Sequence, residues 1–162
     1  MSEHHHHTEQ HFQQSEIIKD IVIGMADGLT VPFALAAGLS GVVDSNGIII
    51  TAGIAEICAG SIAMGLGGYL AGRTEIEHYN SELKREYDEI VTHYETEKRE
   101  VREIFAEYGL SEQSQHLIVD EMAKNEDKWV EFMMRYELGL EKPDERRASK
   151  SALNIGISYI VG

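Results

Sequence analysis

The stretch IVIGMADGLTVPFALAAGLSGVV, Ile21 to Val43, decides the fold. It runs for 23 residues with Asp27 as its only charge. A bilayer's hydrocarbon core, about 30 Å thick, takes about 20 helical residues, so this stretch can cross one. A second run, IIITAGIAEICAGSIAMGLGGYLAG from Ile48 to Gly72, carries Glu56 as its only charge. Between the two lies DSNG, Asp44 to Gly47, a turn signal. The pair therefore reads as a transmembrane helical hairpin. What precedes it is acidic and histidine-rich instead of basic, and the apolar run is too long for a cleaved signal peptide.

Working outward, Lys19 lies just before the first span and Arg73 just after the second, while the Asp44 turn has no basic residue. Positive charge stays on the cytosolic side, so both outer ends are expected to face the cytosol. Glycines at Gly24/Gly28 and Gly68/Gly72, with Gly60, Gly65 and Gly67, would let helix backbones approach closely in the membrane.

Charge is divided sharply along the chain. Residues 21–72 contain no Lys or Arg and three acids, whereas residues 73–147 hold 12 basic and 21 acidic side chains. The 162 residues carry a net charge of -14, which repels nucleic acid and makes cations the natural ligands. Cys58 is the single cysteine, so there is no intramolecular disulfide and no CxxC site. Residues 1–16, MSEHHHHTEQHFQQSE, show no apolar period and read as a disordered tail; their histidines suit either a metal-loading tract or a plain solvated or tag-derived segment.

The fold expected from this is all-α. A transmembrane hairpin over residues 17–72 is followed by a three-helix cytosolic unit over 73–147. The unit's first helix is expected to run unbroken from 73 to about Tyr108 and to end at Gly109. Ser111 caps the second helix, and WVEFMMRYEL carries the third as far as Gly139. The chain turns apolar again at Ser151–Gly162, SALNIGISYIVG, and residues 148–162 read as the start of a third transmembrane helix in a chain that stops within it, with an interfacial or core segment as the alternative.

On a helix of about 100° per residue, Glu86, Glu89, His93, Glu97 and Glu100 share one face. Like charges at such spacing destabilise a helix, and bound divalent cations would remove that cost. The ordinary alternative is a solvated acidic face. Against it stands the third helix, where Met133, Met134 and Glu137 put thioethers beside a carboxylate. Carboxylates with a soft thioether suit Fe(II) and similar transition metals better than Mg or Ca, although the methionines would serve equally as core. Within the spans, Asp27 and Glu56 are expensive to keep unless they do something. Asp20 stands at the cytosolic edge, and Met64 lies two turns beyond Glu56 on the same face. Together they sketch an ion path.

Three motifs carry a resemblance. DGLTVPFALAAGLSG at Asp27 to Gly41, AEICAGSIAMGLGGYLAGRTE at Ala55 to Glu75, and FMMRYELGLEKPD at Phe132 to Asp144 are similar to the vacuolar iron transporter family, especially its plant-type members. The resemblance implies a homodimeric, multi-pass protein of the vacuolar membrane that exports Fe2+ from cytosol to vacuole in exchange for protons, with Zn2+, Mn2+, Co2+ and Ni2+ as further candidate ions. It implies a cytosolic N-terminus and a cytosolic metal-binding domain whose ligands fall on Glu86, Glu89, Glu97, Glu100, Met133, Met134 and Glu137. Its membrane-path residues fall on Asp20, Asp27, Glu56 and Met64.

Two other readings suit the same residues. A membrane-tethered divalent-metal buffer would bind without transport. A soluble ferritin-like oxidase would need two Glu-x-x-His motifs, and the sequence offers one, Glu75 with His78.

Overall fold

The computed structural model describes residues 4–162, with side chains from residue 16 onward. Those residues form an all-α chain: α1 (His4–Ser40), α2 (Asn46–Thr92), α3 (Tyr94–Glu107), α4 (Glu112–Met122), α5 (Glu126–Tyr136) and α6 (Arg147–Val161). Part of the expected tail, residues 1–3 and the side chains of 4–15, lies outside the described residues. From His4 the backbone is already helical and continuous with the first span. No Gly or Pro interrupts residues 4–16, and His, Gln and Glu are tolerated in a helix.

The chain divides into two compact units, one of residues up to Thr74 together with Glu145–Gly162, the other Glu75–Asp144. In the first unit, α1 from Glu16 and α2 are both long and apolar enough to cross a membrane. Their large apolar side chains point outward; Phe33, Ile62 and Leu66 are all more than half exposed. Water penalises such a surface and lipid does not.

Helix α6 packs against both spans through glycines. The missing side chain of Gly24 leaves room for the Ile155 carbonyl, and Gly72 would set a Cβ 2.6 Å from the Ala148 Cα. Gly68 stands likewise against Ile155 and Ser151, and Gly65 against Ala152. Gly67 faces open space. Close backbone approach replaces the hydrophobic effect as the packing force between helices in lipid. The helix starts at Arg147, earlier than the apolar run suggests, so its first turn is polar.

The second unit departs from the unbroken helix expected over 73–108. Helix α2 stops at Thr92 and α3 restarts at Tyr94, with His93 at φ -125°, ψ 29° between them. The Thr92 hydroxyl donates to the Asp88 carbonyl at 2.8 Å and lies 2.8 Å from His93 Nδ1. Adjacent β-branched Val91 and Thr92 already weaken the helix there, and such back-bonding bends it. The break also brings Ile90 and Val101 into one core with Val119, Trp129, Val130, Met133 and Met134. Trp129 meets the Tyr94 ring edge-on at 5.4 Å.

Helices α4 and α5 form where the capping residues indicate. Ser111 Oγ accepts from Ser114 N, and Asn125 Oδ1 accepts from Lys128 N. Gly109 (φ +80°) and Gly139 (φ +63°) take the left-handed turn that ends α3 and α5, a conformation other residues resist.

Candidate metal centre

Three elements of the second unit deliver one carboxylate each. Glu86 comes from the last turns of α2, Glu97 from the first turns of α3, and Glu137 caps the C-terminus of α5. One carboxylate oxygen from each lies within 4.8 Å of the others. On a straight helix, Glu86 and Glu97 would share a face yet stand about 16 Å apart along the axis. The bend at His93 is what makes them converge.

The convergence is electrostatically costly. Glu86 is 1% exposed and Glu97 is 4% exposed. The Glu86 carboxyl is pushed up to about 7, first by burial and then by Glu137 and Glu89, with Arg85 pulling the other way. Burial, then Glu100 and Glu86, push Glu97 up to about 7 as well. Glu137 is exposed as a residue, but desolvation at the cluster and the charges of Glu100 and Glu89 raise its carboxyl. A carboxylate at a helix C-terminus also opposes the helix dipole. Arg85, half-exposed, reaches Glu82 at 2.6 Å, Glu89 at 3.3 Å and Glu86 only at 3.7 Å. Glu86 Oε2 is buried and finds no hydrogen-bond partner among the described residues. A buried acceptor with nothing to accept from costs about 1–3 kcal/mol, and more when charged. A divalent cation held among the three carboxylates would cancel their repulsion.

The sequence-derived ligand set is thus brought together in part. Glu86, Glu97 and Glu137 form the cluster, while Glu89 and Glu100 act on it through their charge. Met133 and Met134 lie in the hydrophobic core at 0% and 2% exposure. His93, on the stripe in sequence, sits exposed at the break.

In the first unit, Asp20 is buried and ion-paired to Arg147, Nη1 to Oδ2 at 2.9 Å. The same guanidinium holds Glu16 at 2.9 Å through Nε. Asp27 and Met64 are half-buried. Glu56 accepts a hydrogen bond from the Tyr159 hydroxyl at 3.1 Å. Sequence reasoning passed over Arg147 and Tyr159. Arg147 left one signal: cationic side chains in the first turn of an otherwise apolar helix oppose its dipole and need acidic partners.

The fold is that of an all-α membrane protein whose second unit gathers three carboxylates. The VIT family model matches residues 18–162, and the chain belongs to that family. It is 57% identical over 157 residues to Vacuolar iron transporter 1 of Arabidopsis thaliana, covering 97% of this chain and 63% of that protein. Identity to Vacuolar iron transporter 1 of Oryza sativa subsp. japonica is 52% over 159 residues, covering 98% of this chain and 63% of that protein. Protein CCC1 of Saccharomyces cerevisiae is 38% identical over 148 residues, 90% of this chain and 46% of that protein. The chain spans about 63% of the length of these plant relatives.

Proposed function

We propose that this chain belongs to a transporter, not an enzyme, that moves Fe2+ from the cytosol into the vacuole in exchange for protons. The unit at Glu75–Asp144 captures divalent metal on the cytosolic side, and Asp20, Asp27, Glu56 and Met64 line the membrane path. The observation that carries the reading is the convergence of Glu86, Glu97 and Glu137, one carboxylate oxygen of each within 4.8 Å of the others, with Glu86 Oε2 buried and unpartnered among the described residues. Carboxylate oxygens take Fe2+ and Mn2+, and bind Zn2+, Co2+ and Ni2+ at least as tightly, while a sulfur from Met133 or Met134 would favour Fe2+ over Mn2+. Carboxyls that titrate near neutrality give up protons when metal binds, so capture is itself a proton-for-metal exchange. The relatives' printed names, vacuolar iron transporter in both plants, support iron as cargo and the vacuolar membrane as location. Gly38 and Gly53 would meet nothing within 4 Å if given a Cβ, and this open small-residue surface suits further helices or a second copy in a homodimer.

The test is Fe(II) uptake into vesicles beside Fe(II) calorimetry. Glu86→Gln, Glu97→Gln and Glu137→Gln combined should lose calorimetric binding by the domain and slow uptake at low Fe(II). Undiminished binding in the triple variant would remove the capture site. Binding without uptake in the unaltered protein would make it a tethered buffer.

A further inference from the structure

Tyr159 belongs to neither set of candidate residues, yet it is 2% exposed and donates its hydroxyl to Glu56. We propose that Tyr159 is a positioning residue of the membrane path, fixing the Glu56 carboxylate in the orientation that meets a passing cation. The inference rests on Glu56 lining that path.

Two glycines seat this tyrosine. A Cβ on Gly28 would overlap the backbone carbonyl of Tyr159, and one on Gly60 would overlap its hydroxyl. Gly28 directly follows Asp27 in α1, and Gly60 stands one turn beyond Glu56 in α2. The backbone of α6 therefore rests against the acid-bearing turn of α1 while its ring end reaches the acid-bearing turn of α2. A glutamate in a span has no water shell to hold it, so its orientation must come from the protein. A phenol supplies one donor and no charge: it engages Oε1 and leaves the carboxylate's remaining acceptor capacity for a cation. An arginine in the same place would neutralise the group, as Arg147 does for Asp20.

Two opposite variants test this in the full-length protein reconstituted into vesicles, with initial Fe(II) uptake measured against Fe(II) concentration beside Glu56→Gln. Tyr159→Phe removes the hydroxyl and keeps the ring. Gly60→Ala keeps the hydroxyl and takes its space. Each should raise KM for Fe(II) about tenfold, the weight of one hydrogen bond to a charged group, while the saturating rate of the folded protein stays at wild type. Should Gly60→Ala fail to fold, Tyr159→Phe decides alone. A wild-type KM in Tyr159→Phe with Glu56→Gln inactive overturns the positioning role and leaves the path standing. A Tyr159→Phe protein that loses saturating rate and folded yield with KM unmoved is only a packing variant, which also overturns it. Wild-type uptake by Glu56→Gln removes Glu56 from the path, and this inference with it.

Discussion

Glu86 and Glu97, eleven positions apart, bring carboxylate oxygens within 4.8 Å of each other because the helix that carries them breaks at His93. Both side chains are buried, and Arg85 compensates only one of them, from 3.7 Å. The metal-free unit thus stores a repulsion that protons or a cation can relieve, which gives its stability a definite pH dependence.

Both carboxyls are pushed up to about 7 in the folded unit, against an ordinary value of 4.5 in the unfolded chain. Between those values the folded state binds more protons. Their contribution to stability is therefore fully present below about pH 4.5 and is lost as pH rises through about 7. Without metal, the unit should be less stable at pH 8 than at pH 5 by on the order of 3 kcal/mol, read by denaturant melts followed by circular dichroism. Stabilisation by added Mn(II) should grow over the same range, since metal and protons compete for the same oxygens. A metal-free stability flat from pH 5 to pH 8 would contradict the buried cluster.

Met133 is fully buried, and its backbone carbonyl accepts from Glu137 N at 3.0 Å. The residue borders the cluster through its main chain whatever its sulfur does. Met133→Leu preserves volume and costs under about 1.5 kcal/mol in a packed core, so it isolates the sulfur. If the thioether is a ligand, Fe(II) affinity falls while Mn(II) affinity holds, and that is the outcome expected from calorimetry. Wild-type affinities for both ions in the variant would assign Met133 to the core alone.

Arg147 ties α6 to α1 through Glu16 and Asp20. Removing one partner of a buried ion pair strands the other charge, at about 3–5 kcal/mol. Arg147→Gln should accordingly lower the thermal midpoint of the detergent-solubilised protein, and adding Asp20→Asn should restore most of the loss. A double variant no more stable than Arg147→Gln would show that Asp20 is not the stranded charge.

The spans were legible because uninterrupted apolar runs bounded by Lys19 and Arg73 have few alternatives in water. The acidic face was legible in its composition but not in its path. Helical periodicity continues in phase across His93, so Glu86 and Glu97 look like neighbours on one straight face; only the break converts a shared face into a shared site. The methionines show the same limit, since spacing on α5 puts Met133, Met134 and Glu137 together but does not reveal that both methionine side chains are buried. Arg147 and Tyr159 were hidden for another reason. Their partners Asp20 and Glu56 lie 127 and 103 positions away, and the pairing depends on how α6 docks on glycines of α1 and α2.

Asp27 lies half-buried in α1, and the helix continues through Pro32 five positions later. Proline has no N–H, so the Gly28 carbonyl, one turn before it, loses its usual intrahelical donor. A carboxylate and a backbone carbonyl thus follow one another in sequence, with the Gly28 surface closed by the backbone of Tyr159. An ionised carboxylate in a span needs a cation or a proton, and a site that accepts either can exchange one for the other. Asp27→Asn keeps the size and removes the charge. It should stop Fe(II) movement into vesicles under an inward-acid pH gradient while the cluster at Glu86, Glu97 and Glu137 binds metal with unaltered affinity by calorimetry. Met64→Leu, tested in the same vesicles, should slow Fe(II) more than Mn(II), because the thioether offers a soft contact that Mn(II) values less. Wild-type uptake by Asp27→Asn would make that carboxylate a packing group and shift the path to Glu56, whereas loss of both uptake and calorimetric binding would mean that the substitution had unfolded the protein instead of blocking it.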